Sequence, residues 1–447
     1  MLNVSAMLLR FIVKNFLSFK EETEFNMFPS SKTQSFKDHI LDCDYAQVLR
    51  LAALYGANGA GKSNLLAAIA ALRHLAIEGA VSPNDFTTNK FAFSPDNKNN
   101  PIEFAIEFFA YGHIYYYTLS INDSEVVEEA LYYAKKNRDE LIFSRKNKDI
   151  DFGKSLTDNK KNKIFVDAIK DTLLRPDSLL LTFMARNYPS LVEGITSAYI
   201  WIASSFEFVL PDSTLGAFAH VVDKNPSVHN LLNDTIRDIG IGVDRFEVKK
   251  TAIDESQLLY EEMKTLVADA KKHPGEATAI TLDPDQRVLS SLVYEDGRIV
   301  IKELEAIHKV SGKEYKMPLA SESDGTLRML DYIPLIYEIL HSNKVYIVDE
   351  IERSIHPILI KAIIEKISQV EDVKGQLIFS THEACLLDQK LLRPDEIWFA
   401  EKNLDQSTEL YPLSDFQVHK TANIQLGYLQ GRYGAIPFLS NLNDLSW

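Results

Sequence analysis

The chain has 447 residues, 46% hydrophobic and 25% charged, with a formal net charge of −15; that balance excludes disordered and fibrous classes and gives length enough for two compact units. No apolar run approaches the roughly eighteen residues of a membrane helix, and the first twenty residues, carrying Arg10, Lys14 and Lys20, are no signal-peptide core. Two cysteines, Cys43 and Cys385, are too few for a disulfide framework or a metal cluster, so a reducing, cytoplasmic setting is expected.

Leu8 to Phe16 alternates apolar and polar residues and predicts a strand, with Phe25 to Phe28 as its pairing partner. Val48 to Tyr55 is an apolar run bounded by glycine, expected to be one buried strand. A glycine-rich turn follows from Gly56 to Gly61, and Asn64 to Ile77 then reads as a helix with Leu65, Leu66, Ile69, Leu72 and Leu75 on one stripe. Ile102 to Phe109 and His113 to Ile121 predict a hairpin turning at Tyr111 and Gly112. Residues 131–163 carry ten Lys/Arg against five acids, which reads either as a solvated loop or as a contact for phosphate or an acidic partner. The acidic remainder argues against a surface that clings to nucleic acid throughout.

From about 155 to 240 the texture turns helical, and an inserted helical region is expected. Asp244 to Lys250 returns to strand, and Ser256 to Lys272 predicts a short helix stopped by His273-Pro274-Gly275. Leu327 to His341 and Ile358 to Val370 read as helices; Val345 to Val348, Gln376 to Ser380 and Glu396 to Glu401 read as strands. Strands alternating with helices imply a parallel sheet layer. The expected division is therefore 1–154, 155–240, 241–320 and 321–447.

Four motifs carry chemistry. Gly56-Ala57-Asn58-Gly59-Ala60-Gly61-Lys62-Ser63 satisfies GxxxxGK[ST] between a strand and a helix, where backbone N–H groups and a helix N-terminus can cradle phosphates. Lys62 would neutralise β- and γ-phosphate charge, and Ser63 would ligate Mg²⁺. Asp349 and Glu350 end a buried strand, suited to holding Mg²⁺ and to orienting an attacking water. His382, just past another strand, reads as a γ-phosphate contact or as a plain loop histidine. Ser321 to Thr326 opens a helix with small hydroxylated residues and a glycine, so it reads as a helix cap or as a second anion site serving a neighbouring subunit.

The order of these motifs resembles the ATP-binding-cassette (ABC) type of ATPase head shared by SMC, RecF and OLD-type ATPases, and Asn58 within the P-loop is typical of that branch. It is similar more closely to a bacterial "AAA family" of ABC-like build, found in anti-phage and abortive-infection islands. The segments carrying the likeness are Phe11 to Phe19 (containing Val-Lys-Asn-Phe-Leu-Ser-Phe), Glu322 to Thr326, Asp349 to Pro357 and Tyr428 to Leu439. The resemblance implies an α/β P-loop NTPase fold: a mixed sheet with a parallel core, an antiparallel subdomain and a mainly helical insertion. It also implies ATP and Mg²⁺ as cofactors and a head-to-tail homodimer or larger assembly. Lys62, Glu350 and His382 would be catalytic, and Gly56 to Ser63 would bind nucleotide together with Ser323, Gly325 and Thr326. Ser323 and Gly325 would be signature residues reaching the partner's γ-phosphate, and Arg353 to His356 would be the loop coupling the two sites.

Two departures stand out. Glu322 and Asp324 replace the usual Leu and first Gly of transporter-type signatures, and no Gln lies between Ser63 and Gln257, leaving Asn187 as a substitute for the Mg²⁺-sensing glutamine. The family likeness implies a sensor or regulator of a separate toxic effector such as a nuclease, responding to a phage-derived trigger, with PARIS-type ATPases the nearest kind. The alternative is a RecF-like or SMC-like DNA-repair clamp. Membrane transport finds no spanning segment to support it, and no nuclease domain is expected after His382.

Overall fold

The computed structural model describes residues 7–33, 35–43, 46–157, 169, 174–211, 217–253, 261–281, 290–370, 373–419 and 421–436. Lys160, Lys161 and Lys163 of the basic run, the start of the helix expected from Ser256, and Pro437 to Leu439 lie outside these residues. The chain forms two compact units, one of residues 1–209, 339–352 and 361–447, the other of 210–338 and 353–360.

Among the described residues the first unit holds two large sheets and a small two-stranded one, Ile40–Cys43 with Ala46–Leu49. Its six-stranded sheet runs in the order Phe206–Val209, Val345–Val348, Gln376–Ser380, Leu51–Tyr55, Ile397–Lys402, Thr408–Pro412. All neighbours are parallel except the last pair. Leu51–Tyr55, Val345–Val348 and Gln376–Ser380 are buried along their whole length, which explains why each carries consecutive apolar residues rather than an alternating pattern. The antiparallel sheet has seven strands, in the order Asp149–Phe152, Glu140–Lys146, Val126–Ala134, His113–Ile121, Ile102–Ala110, Met7–Lys14, Thr23–Asn26.

One buried side chain fastens the two sheets together. Gln376 accepts from the Leu8 N–H at 2.6 Å and donates to the carbonyls of Leu8 at 3.0 Å and Leu49 at 2.9 Å. It is fully buried, so every one of these bonds is made away from water.

Several expectations need correction. The run Val48 to Tyr55 is broken at Arg50: Ala46–Leu49 folds back on Ile40–Cys43, and only Leu51–Tyr55 enters the parallel sheet. The P-loop helix spans Lys62–Glu78, starting two residues before the expected Asn64. The described part of the basic run is strand and turn rather than one loop: Arg145 and Lys146 lie in Glu140–Lys146, while Lys135, Lys136, Arg138 and Lys148 are exposed in the turns that separate it from Val126–Ala134 and Asp149–Phe152. Arg145 is buried and donates to the carbonyls of Asn147, Arg175, Pro176 and Ser178, while Lys135 and Lys146 pair with Glu140 and Glu128.

The region 155–240 does not stand apart as an insertion. Helices Leu180–Asn187 and Glu193–Ser204 pack into the first unit, where Trp201 stacks on Phe108 of the antiparallel sheet with centroids 4.0 Å apart. Buried Glu129 accepts from the N–H groups of Leu180 and Leu181 at 2.7 and 2.8 Å and from the Tyr117 hydroxyl at 3.0 Å, so a strand carboxylate caps that helix. Strand Phe206–Val209 then joins the parallel sheet.

The second unit has a sheet of Arg245–Ile253, Arg298–Val310, Ser290–Glu295 and Ala277–Ile280, with Lys313–Pro318 also paired to Arg298–Val310. Helices Phe218–Lys224, Pro226–Ile239 and Glu261–Lys272 accompany it. Fully buried Lys302 is satisfied there by Asp223 at 2.7 Å and Glu295 at 2.8 Å. Among the described residues no helix is long and apolar enough to cross a membrane.

Replacing Gln376 with Leu removes the buried bonds it makes to the Leu8 N–H and to the carbonyls of Leu8 and Leu49. A buried group that loses its partner costs about 1–3 kcal/mol, so denaturant unfolding of the Gln376→Leu protein should show a loss of about 3 kcal/mol; a loss below about 0.5 kcal/mol would contradict this role.

Candidate functional site

The phosphate-type turn is built by close approach of its backbone to the rest of the first unit. A Cβ on Gly56 would meet the Ala400 carbonyl, and one on Gly61, at φ 109°, would meet the Thr408 hydroxyl and Ser18. Only glycine fits at either position. Behind the turn, the Thr408 hydroxyl donates to the Ala60 carbonyl at 2.8 Å and lies 2.8 Å from Ser18 Oγ, which accepts from Asn64 Nδ2 at 2.7 Å. Ser18 thus gives a physical reason for the Phe11 to Phe19 segment: it buttresses the loop.

The helix that follows has Gly61 at its cap with no side-chain hydrogen bond and no acid in its first turn. Its leading N–H groups and positive end are therefore left to an anion.

Lys62 is buried, not solvent-facing; its ammonium donates to the carbonyls of Gly56 at 2.9 Å and Ala57 at 3.3 Å. Burial lowers its pKa, and Asp349, Glu352 and Glu350 pull it back up. Asp349, also buried, accepts from the Ser380 hydroxyl, and the same Ser380 oxygen accepts from the Glu350 N–H at 2.8 Å. Glu350 sits at φ 52°, a left-handed turn that ends the strand abruptly.

Glu352 then reaches across to the next strand end and accepts the His382 N–H at 2.6 Å. Burial, followed by the positive charge of Lys62, lowers the His382 pKa from its ordinary value, favouring the neutral ring near neutral pH.

Asn58, Gly59, Ala60, Gly61, Lys62, Ser63 and Asn64 line one open cleft of about 200 Å³ together with Glu350 and His382. Three separated sequence motifs meet there. A larger hollow of about 430 Å³ lies between residues Pro29 and Gln47 and Arg393, away from these motifs.

The remaining expectations fall elsewhere. Asn187 closes helix Leu180–Asn187 with its amide on the Phe183 carbonyl and does not line the cleft. Ser323, Gly325 and Thr326 belong to the second unit and are not part of the cleft's lining. Ser323 Oγ accepts from the Thr326 N–H at 3.2 Å and lies 3.0 Å from its hydroxyl, capping helix Asp324–His341. Thr326 is buried in that cap, while Ser323, like Ser321, is exposed.

The described part of the Tyr428 to Leu439 segment forms an aromatic clasp. Tyr428 packs on Phe399 and on Tyr55, the residue before Gly56, at 5.7 and 5.8 Å, and Tyr433 stacks on Phe399 at 6.1 Å.

Sequence reasoning missed Ser380, Glu352, Ser18 and Thr408. None belongs to a motif of its own; each is found only by its place beside one.

The donor set suits a nucleoside triphosphate and Mg²⁺. Among the described residues no group of three or more His, Cys, Asp or Glu could hold a metal, whereas Mg²⁺ is commonly held by one or two protein oxygens, phosphate oxygens and water. Ser63 and Asp349 are the residues that would supply them.

A family model described as "AAA domain, putative AbiEii toxin, Type IV TA system" matches residues 51–186 and 196–388. The chain belongs to this family. No curated protein matches. Among solved structures, the SMC head domain from Thermotoga maritima is similar at 12% identity and a TM-score of 0.38, over 91% of this chain and 98% of that one. An SMC head bound to the C-terminal winged-helix domain of ScpA gives 11% identity and a TM-score of 0.40, over 91% and 97%. An SMC head with an extended coiled coil bound to the C-terminal domain of ScpA, derived from Pyrococcus furiosus, gives 13% and 0.35, over 91% and 96%. The fold itself is a P-loop α/β architecture with a parallel core sheet and an antiparallel sheet.

Ser380 is a direct test of how the acid pair is held. Hydrogen bonds to charged groups contribute about 1.5–3 kcal/mol, and about 1.4 kcal/mol is tenfold in rate. If the cleft hydrolyses ATP, Ser380→Ala should lower turnover roughly tenfold or more with nucleotide affinity little changed; wild-type turnover would remove Ser380 from the site.

Proposed function

We propose that this chain is an ATPase that binds ATP with Mg²⁺ and hydrolyses it at sites shared between two copies in a head-to-tail homodimer or larger assembly. The observation carrying this reading is the convergence of the P-loop, Glu350 and His382 on one cleft. Backbone N–H groups of Gly56 to Ser63 and the helix end would bind the phosphates. Bound Mg²⁺, held by Ser63 and Asp349, would supply charge neutralisation at the phosphate oxygens.

Lys62 begins tied to its own loop carbonyls, so it stands beside the phosphates before they arrive. Glu350 orients and polarises the attacking water, the Ser380 bond fixing the backbone that carries it. His382, biased to its neutral form, donates a hydrogen bond as charge moves outward onto the γ-phosphate. Ser323, with Gly325 and the buried Thr326 behind it, completes the partner's site, and Arg353 to His356 couples the two.

The family's description supports placing this activity in a toxin or abortive-infection context. The chain would act there as sensor or regulator of a separate effector, such as a nuclease, in answer to a phage-derived trigger. A PARIS-type ATPase, partnered with a nuclease, is one kind that fits this proposal. The DNA-clamp alternative keeps one observation in its favour: Lys135, Lys136, Arg138 and Lys148 of the basic run are exposed in the turns between strands, although Lys135 is paired with Glu140 and Arg145 is buried.

Subunit mixing tests the shared site. Lys62→Ala and Ser323→Arg homodimers should each be inactive. Mixed with proven exchange, they form heterodimers in which one site carries both lesions and the other neither. Roughly a quarter of wild-type activity should return if the sites fire independently. No recovery, with wild type mixed against Glu350→Gln showing independent sites, would contradict a shared site.

A further inference from the structure

Among the described residues the sheet of the second unit ends in an exposed edge strand. Strand Lys313–Pro318 pairs with Arg298–Val310 on one side, and among the described residues no strand pairs with its other side. All six of its residues are exposed. Tyr315 is 52% and Met317 38% exposed, and Val310, across the turn, 58%. Unpaired backbone beside exposed apolar side chains is a template for another strand.

The hairpin's turn fixes which residues offer their backbone outward. Ser311 and Gly312 have φ of 51° and 81°, the pattern of a two-residue type I′ turn, whose flanking residues form a hydrogen-bonded pair. Those residues are Val310 and Lys313. Bonded and non-bonded pairs alternate from there, so Lys313, Tyr315 and Met317 turn their N–H and C=O inward, towards Val310, His308 and Ala306. Glu314 and Lys316 turn theirs to the open edge. Pro318 shares that outward parity, so its missing N–H costs the hairpin nothing.

We propose that this edge pairs antiparallel with the same edge of a second copy of the chain, about a two-fold axis at Tyr315. Two like strands meeting this way have few registers in which outward groups face outward groups. Glu314 opposite Glu314, or Lys316 opposite Lys316, sets like charges face to face. Centring on Tyr315 instead puts Glu314 opposite Lys316 of the partner subunit and Lys316 opposite Glu314 of the partner subunit, with reciprocal backbone bonds. The two Tyr315 rings then meet in a non-hydrogen-bonded pair, where side chains come closest, and Met317 lies along the stem of Lys313 of the partner subunit.

Within its own sheet Glu314 meets Arg245 at 2.9 Å and Lys316 meets Glu247 at 2.9 Å. These contacts hold the two side chains flat while leaving them 48% and 59% exposed. The pairing uses no part of the nucleotide cleft and does not depend on the reading of that cleft.

Disulfide trapping in the full chain tests it, with Cys43→Ser and Cys385→Ser as background. Opposed Cβ atoms in such a pair lie about 4.5–5.5 Å apart, close to the span a disulfide bridges. Under mild oxidation Tyr315→Cys should give a cross-linked dimer, with or without nucleotide. Lys313→Cys on the same exposed strand, which faces Met317 and not itself, should give at least tenfold less.

Adding Lys316→Glu or Glu314→Lys to Tyr315→Cys should each abolish cross-linking. Mixing those two proteins should restore it as a heterodimer, since every opposed pair is again of opposite charge. Circular dichroism and melting confirm that each variant is folded. Equal cross-linking from Lys313→Cys, or failure of the mixed pair to recover while Tyr315→Cys alone cross-links, would overturn this register; no cross-linking by folded Tyr315→Cys would overturn the pairing itself.

Discussion

Three adjacent parallel strands end at the same edge of one sheet, and the candidate site exists because they do. Val348 lies beside Phe379, and Ser380 beside Leu54. The residues that follow are Asp349 and Glu350 on one strand, Thr381 and His382 on the next, and the Gly56 turn on the third. Sheet register thus sets the positions of the acid pair, the histidine and the phosphate loop together. A slip of one residue would turn Ser380 away from Asp349 and leave the acid pair unheld.

Around that edge, polar side chains join what the strands bring near. Ser380 holds both Asp349 and the Glu350 backbone, and Glu352 holds the His382 backbone. Ser18 and Thr408 press the phosphate loop into shape from behind. The charges are mutually adjusted: Lys62 is drained by burial and sustained by three carboxylates, while it lowers the His382 pKa in turn. A phosphate group arriving there would meet a lysine already desolvated, so less solvation must be lost on binding.

The parts of this arrangement legible in sequence were those with local signals. Val345–Val348 and Gln376–Ser380 are short apolar runs with polar ends, and the hairpin of Ile102–Ala110 and His113–Ile121 turns at Tyr111 and Gly112 as read. The phosphate turn declared itself by spacing. Strand Val126–Ala134 did not, because buried Glu129 breaks its apolar pattern and reads as solvated. Helix Glu193–Ser204 falls in the stretch whose texture reads as helical, but its bounds were not read, and its place in the core depends on Trp201 meeting Phe108, 93 residues earlier. Ser380 and Thr408 gain meaning only from neighbours 31 and 348 positions away. Such pairings belong to the fold and leave no periodicity behind.

In the proposed reaction one cleft positions a water against a nucleotide held by the Gly56 turn, with Glu350 doing the positioning. Phosphate release from ATP with Mg²⁺, measured beside nucleotide retention for wild type and Glu350→Gln, tests it most directly. Wild type should release phosphate steadily, and the variant should bind ATP as tightly, retain it unhydrolysed and release phosphate at least a hundredfold more slowly, the loss of a general base being about 10²–10⁴-fold. Wild type that binds ATP without hydrolysing it, or a Glu350→Gln protein that turns over as fast as wild type, would contradict it.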